Sequence, residues 1–332
     1  MDSKKSSANS QKPFIGVDLG GTKILACVVD PDGKIISRNK KKTKAHKSWE
    51  KVVERIIKCI RKAVEKAELT MDQVAAVGIG APGALNPFTG VIHVAPNLGW
   101  KEINLSSIME DDLGVPVFLN NDVNIGTLGE HRRGVGVGLD HLFGMFIGTG
   151  IGGGLILNGK IYEGARFMAG EVGHIPMVKD GPVCGCGNRG CFEAVAGRLA
   201  IVRDIKKESE KGRKTILKKA SGGDFSKVRS KLLSLGWSEK DPLTVEVLEK
   251  SAWFIGRGVA TVINILNPDA VILGGGVIEA LDEDFLNLIR KSVEEHSFPA
   301  MTSETKILRA ILGDDAVIAG AAAYAADRLY QS

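Results

Sequence analysis

Residues 174–193 read HIPMVKDGPVCGCGNRGCFE. The chain has five cysteines, and three of them, Cys184, Cys186 and Cys191, fall in this stretch behind His174. One imidazole and three thiolates make a closed tetrahedral donor set for Zn²⁺. A disulfide would leave one of the three cysteines over and needs an oxidising compartment. A redox pair leaves the third cysteine and the histidine unused. Ligand count and clustering therefore favour zinc. Four protein ligands make such a metal structural, with no position open for chemistry. Glu171 and Glu193 flank the set. Carboxylates held near a rigid knuckle are acceptor-only groups suited to the hydroxyls of a sugar, and the same residues also read as exposed surface charges.

A second group of residues suits phosphate. DLGGTK (18–23) lies between the apolar runs FIGVD and ILACVV. A glycine turn after a strand lets backbone N–H groups approach phosphate oxygens. Gly20 and Gly21 supply the approach, Thr22 adds a hydroxyl, and Asp18 could face a phosphate-bound Mg²⁺ through water. Neither the P-loop GxxxxGK[ST] nor a helix-opening GxGxxG is present, and an ordinary hairpin is the competing reading. IGTGIGGG (147–154) repeats the plan about one domain length later, with Thr149 and Gly150 as phosphate contacts or as part of a glycine bulge in a sheet. In LGGGV (273–277), Gly275 and Gly276 would let a flat ring such as adenine lie against the backbone. Finally, LNND (119–122) closes an apolar strand with polar residues. Asp122 could deprotonate an alcohol for phosphoryl transfer, while Asn or Asp before VNIGTLGEH also makes a helix N-cap. Spacing by itself favours the cap.

These residues need strands that end in turns. Phe14–Asp18 and Ile24–Val29 predict two strands, and the turn signal DPDG sends the chain into a third, KIIS, as an antiparallel meander. Trp49, Val52, Val53, Ile56, Ile57, Ile60 and Val64 follow helical spacing. Cys59 beside that stripe and Cys27 inside a strand read as core thiols. VAAVGIGAPG (74–83), VPVFLNND (115–122), LFGMFIGTGIGGGLIL (142–157), AVILGGG (270–276) and ILRAIL (307–312) predict further strands. Helices are expected over 244–266, 281–296 and 316–329, and a helical insertion over 206–242. The shared strand–glycine turn–strand plan of FIGVDLGGTKILACVV and MFIGTGIGGGLILNG suggests two similar α/β domains facing one cleft.

At 332 residues, 44% hydrophobic and 25% charged, the chain suits a soluble protein with two cores. No apolar run approaches the length of a membrane span, and residues 1–12 are polar and lack the apolar core of a signal peptide. A disordered tail and a cytoplasmic location are expected. The net charge of +5 comes partly from NKKKTK (39–44), read as solvated surface loops. No aromatic residues interleave those lysines as a nucleic-acid surface would require.

The ordered set DLGGTK, GIGAPG, LNND, IGTGIGGG and ExGH followed by CxCGxxGCxE resembles the ROK family of bacterial sugar kinases and sugar-responsive repressors, over about residues 13–330. The resemblance implies a two-domain actin-like (ribonuclease H-like) α/β fold with the active site in the interdomain cleft. The expected division is 13–122 with 315–332 against 123–314, the larger part carrying the zinc knuckle and the insertion near 206–242. By matching position it makes Asp122 the general base that takes the proton from a hexose 6-hydroxyl as it attacks the γ-phosphate of ATP. Asn121, Glu171, His174 and Glu193 would bind the sugar. His174 would also ligate zinc with Cys184, Cys186 and Cys191. Asp18, Gly20, Gly21, Thr22, Thr149 and Gly150 would handle Mg²⁺ and phosphates, and Gly275 and Gly276 would adjoin adenosine. Lys23 belongs to the motif without an assigned role. The implied activity is ATP-dependent phosphorylation of a hexose, glucose first, with a homodimer or higher oligomer as the expected assembly and neither nucleic acid nor membrane as partner. A sugar sensor that does not catalyse, and kinases for mannose, fructose or an N-acetylated hexosamine, are the alternatives. The repressor branch starts with a helix-turn-helix domain, and with about a dozen polar residues before the first strand none is expected here.

Overall fold

The computed structural model describes residues 12–330. The polar tail expected over 1–12 lies outside the described residues except for Lys12. The chain divides into two compact units. One takes the chain up to Gly138, then Gly154–Ala169, then the segment from Asp314; the other takes Leu139–Gly153 and Gly170–Gly313.

In the first unit, β1 (Phe14–Leu19), β2 (Lys23–Val29), β3 (Ile35–Lys42), β4 (Val77–Ala81) and β8 (Val117–Asn121) form a sheet in the order β3-β2-β1-β4-β8. The first three strands are antiparallel; β4 lies parallel to β1, and β8 to β4. Alternation gives the sheet two apolar faces. Ile15, Val17, Ile24 and Val28 pack on helix α1 (Trp49–Lys66) through Val52, Ile56 and Ile60. Phe14, Leu25 and Cys27 pack on the last helix, α12 (Asp315–Tyr330), through Ile318, Ala322 and Ala325. Cys27 and Cys59 are fully buried, as core thiols should be, and burial pushes the Cys27 thiol up to about 12. A small meander, β5 (Ala84–Asn86), β6 (Val91–Ala95) and β7 (Trp100–Asn104), and helix α2 (Leu105–Leu113) lie between β4 and β8. Helix α3 (Asp122–Arg133) follows β8 and belongs to the first unit, beyond the expected boundary after 122. The reason is packing: at Gly129 the helix closes on the backbone of Ala316, leaving no space for a Cβ.

In the second unit β9 (Leu142–Ile147), β12 (Ala270–Gly274) and β13 (Lys306–Arg309) are parallel neighbours. β10 (Ile151–Leu157) begins in this unit and ends in the first, where it pairs with β11 (Lys160–Ile161). The sheet order is β11-β10-β9-β12-β13. Numbered along the chain, both five-stranded sheets therefore read third-second-first-fourth-fifth. The glycine turns DLGGTK and IGTGIGGG occupy the same place in each, between first and second strands. That is the two-domain actin-like α/β fold. Helices α4 (Phe192–Ala196), α5 (Arg198–Glu210), α6 (Ile216–Ala220), α7 (Ser230–Ser238), α8 (Pro242–Leu266), α9 (Gly276–Ala280), α10 (Glu283–His296) and α11 (Pro299–Thr302) complete this unit. Helix α8 starts cleanly because the Asp241 carboxylate accepts the Thr244 N–H and Pro242 takes the first turn, and it stops at Asn267 in the left-handed conformation. Residues 206–242 hold the end of α5, then α6 and α7, joined by turns, and reach Pro242, the first residue of α8. No helix among the described residues is long and apolar enough to cross a membrane.

Candidate functional site

The first unit gathers Asp18, the Gly20–Lys23 turn and the LNND segment. Asp18 stands at the end of β1, with a side chain only 14% exposed. Burial is the main cause that pushes its carboxyl up to about 6. Lys23 opposes that rise, and the neighbouring carboxylates of Asp122 and Asp314 add to it. Lys23 acquires a role here: its Nζ lies 2.6 Å from Asp314 Oδ1 and 3.8 Å from Asp18 Oδ2. It holds the Asp314 carboxyl below the usual range. Three carboxylates and one ammonium in one place suit the binding of a divalent cation with phosphate.

NKKKTK is not a set of surface loops. Most of it forms edge strand β3, because its residues pair in register with β2, Lys42 opposite Lys23 and Lys40 opposite Leu25. Asp18 is also opposite Leu25, on β1. Directly opposed residues share a face of a sheet, so Lys40 is on the face of Asp18. It lowers the pKa of both Asp18 and Asp314. Lys40, Lys41 and Lys42 line a cavity of about 680 Å³ together with Gly20, Gly21, Thr22 and Lys23.

LNND divides its labour. Asn120 is 2% exposed; its side chain donates to Glu163 Oε1 at 2.8 Å and accepts the Asn121 N–H at 2.7 Å. Asn121 is the N-cap of α3, its Oδ1 accepting from the N–H groups of Val123 and Asn124. Asp122 is therefore the first helical residue, and its carboxylate stands where the helix macrodipole favours negative charge.

The second unit gathers Thr149, Gly150, Glu171, His174, Glu193 and the three cysteines. The CGCGNRGC segment is a tight knuckle: Cys184 N–H donates to the Asn188 carbonyl at 2.8 Å and Gly187 N–H to the Cys184 carbonyl at 3.0 Å. Helix α4 then anchors it, with Phe192 fully buried against Gly258 of α8. The donor atoms of His174, Cys184, Cys186 and Cys191 all lie within 4.8 Å of one another. Cys186 Sγ and Cys191 Sγ are 3.7 Å apart, and Cys184 Sγ is 3.6 Å from His174 Nδ1. A tetrahedral site with Zn–S near 2.3 Å and Zn–N near 2.0–2.1 Å has edges of about 3.8 Å for S···S and about 3.6 Å for S···N. The residues present fit that metal. Nδ1 is the ring nitrogen on the sulfur side, and Nε2 lies 3.8 Å from Glu171 Oε2.

Glu193 joins this knuckle to the second glycine turn. Its Oε2 accepts the Ile151 N–H at 3.1 Å and its Oε1 faces Cys184 Sγ at 3.7 Å. A Cβ at Gly150 would fall inside that carboxylate. Gly275 is constrained too: φ is +85° and a Cβ would sit 2.7 Å from the Ile147 carbonyl oxygen. Gly276 opens α9 beside it.

Asp314, Lys40 and Arg198 were missed from sequence. Arg198 Nη2 donates to Thr149 Oγ1 at 2.9 Å. An acidic pair opening an Ala-rich helix reads as a cap and a lysine run as solvent-facing charge, so only strand register or tertiary contact reveals them.

The ROK family profile matches residues 14–328. A glucokinase of Thermotoga maritima is 33% identical over 317 residues, covering 95% of this chain and 98% of that protein. A xylose repressor of Caldicellulosiruptor bescii is 32% identical, covering 92% and 76%. The crystal structure of a ROK family glucokinase from Streptomyces griseus with glucose and AMPPNP superposes with a TM-score of 0.83 at 35% identity, covering 95% of this chain and 99% of that one. Sheet order, motif placement and a match that spans nearly the whole chain agree: the chain belongs to the ROK family.

Proposed function

We propose that the chain is an ATP-dependent hexose kinase that phosphorylates the sugar 6-hydroxyl, with glucose as its first substrate. The observation that carries this reading is the carboxylate cluster of the first unit. Asn121 takes the capping position, and the backbone of Asp122 adjoins Gly80, the residue of β4 that pairs with Asp18 beside the Gly20–Thr22 turn. This neighbourhood supports reading Asp122 as the base for an alcohol and Gly20–Thr22 as its phosphate turn. The glucokinase names of the relatives support the same reaction.

In this mechanism Asp122 accepts the proton of the 6-hydroxyl while that oxygen forms a bond to the γ-phosphorus. The bond from the γ-phosphorus to the β–γ bridging oxygen breaks, and its electron pair leaves with ADP. The proton on Asp122 passes to solvent after product release. Gly20, Gly21 and Thr22, with Thr149 and Gly150, hold the phosphates through backbone N–H and hydroxyl donors. Mg²⁺ bound with the nucleotide would neutralise phosphate charge, with Asp18 facing it. Gly275 and Gly276 leave backbone open to adenine. Asn121, Glu171, Glu193 and the Nε2 of His174 orient the sugar hydroxyls. Zinc held by His174, Cys184, Cys186 and Cys191 would keep the knuckle rigid and fix the tautomer that leaves Nε2 available.

A coupled ATP-consumption assay over a hexose panel, with Mg²⁺ and with bound zinc measured on the same sample, tests the reading. Turnover with glucose at about one zinc per chain is the expected result. The xylose repressor at 32% identity supports a second reading, a sugar sensor. Thermal stabilisation by a sugar without turnover of any sugar would select it.

A further inference from the structure

We infer that Arg198, with Arg229 from the 206–242 segment, forms a two-arginine receptor at the second glycine turn for the polyphosphate group of a nucleoside triphosphate. The inference deepens the kinase reading and rests on it for the identity of the anion.

Arg198 is 7% exposed. Its guanidinium donates to the Thr149 hydroxyl oxygen at 2.9 Å and to the Val228 carbonyl at 3.1 Å. Both acceptors are neutral. Among the described residues no carboxylate pairs with it; burial lowers its pKa, and the like charge of Arg229, an exposed residue whose guanidinium donates to the Ser226 carbonyl at 2.9 Å, lowers it further. Arg198 also opens α5, a helix with no acidic residue in its first turn, so the positive end of the macrodipole adds to the imbalance. A buried, uncompensated cation costs several kcal/mol unless an anion meets it. More exposed arginines meet carboxylates: Arg38 faces Asp315 with both guanidinium nitrogens, and Arg213 does the same to Glu246.

Thr149 shows where the anion sits. It is exposed at the tip of the turn, between Gly148 and Gly150. Its oxygen already accepts from a cation, which leaves its O–H to donate to an anionic oxygen. The backbone fixes the pair: Arg198 N–H donates to the Gly148 carbonyl at 3.1 Å and Leu199 N–H to the Thr149 carbonyl at 3.3 Å. The 206–242 segment completes the wall. Val228 holds one arm of Arg198, Arg229 follows it, and Ser230 Oγ would lie 3.2 Å from a Cβ on Gly276. Three consecutive residues thus run from the phosphate turn to the turn assigned to adenosine, which gives the lysine-rich segment a function.

The test measures the affinity of full-length protein, without sugar, for ATP, adenosine and inorganic tripolyphosphate. R198M should weaken ATP and tripolyphosphate by about 30-fold or more, leave adenosine unchanged, and keep or raise Tm, because a buried unpaired charge has gone. R229M should weaken the same two ligands several-fold, and R198K should fall between wild type and R198M; R198K carries the test if R198M does not fold. The inference is overturned if R198M binds tripolyphosphate as wild type does, if adenosine weakens in proportion, or if wild type binds none of the three. Arg198-dependent tripolyphosphate binding without turnover of any sugar would sink the kinase reading and keep the anion site. Turnover with an ATP KM indifferent to R198K and R198M would do the reverse.

Discussion

Replacing Asp18 by asparagine, in protein stripped of nucleotide and magnesium, isolates the electrostatic cost of the first-unit site. Asp18 titrates at about 6 in place of 3.8, chiefly through burial, with Asp122 and Asp314 adding and Lys23 and Lys40 subtracting. Its folded pKa lies above its unfolded one, so across that window the folded chain holds a proton that the unfolded chain has lost. Stability must therefore fall as pH rises from about 4 to about 6 and then level off. A rise of roughly two units, at about 1.4 kcal/mol each, amounts to about 3 kcal/mol. Asparagine cannot ionise, so the variant should gain on wild type by that amount above the window and lose the gain below it. For a unit of this size the gain corresponds to a Tm difference on the order of 5–10 °C. Differential scanning fluorimetry of both proteins from about pH 4 to pH 8 reads it directly, and the comparison cancels the titrating groups that do not interact with Asp18. A Tm difference that stays the same across the whole range would refute the argument, because a constant offset reflects packing and not charge.

Asp122→Asn should keep zinc and sugar binding and lower turnover by roughly 10²–10⁴-fold, the usual worth of a general base; near-normal turnover would remove Asp122 from that role. Gly150→Ala should cost about 1–3 kcal/mol of stability and raise the KM for ATP, since the new methyl occupies the place of the Glu193 carboxylate. Adding Glu193→Ala should recover the stability and not the activity, and a double variant as unstable as the single would deny the clash. Cys184→Ser should lower bound zinc and Tm together and weaken sugar affinity at least about tenfold; sugar affinity that survives zinc loss would break the link between metal and site.

Much of the fold was legible because its signals are local. Short apolar runs that end in glycine turns, and a helical stripe from Trp49 to Val64, give strands and helices without tertiary knowledge. Clustering carried the zinc set, since its four ligands fall within eighteen residues. The β5–β7 meander escaped because strands of three to five residues hold too few alternations to show a period. Lys40 and Asp314 escaped for another reason. Their partners are far away in sequence, and a lysine run or an acidic helix start has a cheaper local explanation. LNND lies between these cases: spacing favoured a cap, and the structure supplies one, at Asn121 and not at Asp122.

The proposed zinc knuckle and the proposed phosphate turn are not independent, and the reason is Glu193. One carboxylate oxygen faces the sulfur of Cys184, and the other accepts the N–H of Ile151, the first residue after the Thr149–Gly150 pair. On the turn side the carboxylate occupies the space where a Cβ on Gly150 would lie. With zinc lost, three thiols and an imidazole would have to find other partners, and the knuckle that sets the position of α4 would loosen. Glu193 is in the first turn of that helix. Its displacement would release Ile151 and open the Gly150 side of the turn. Chelation should therefore weaken tripolyphosphate binding as well as sugar binding, although no phosphate-binding residue is a zinc ligand. A metal with no open coordination position can in this way set the affinity of a distant anion through one carboxylate.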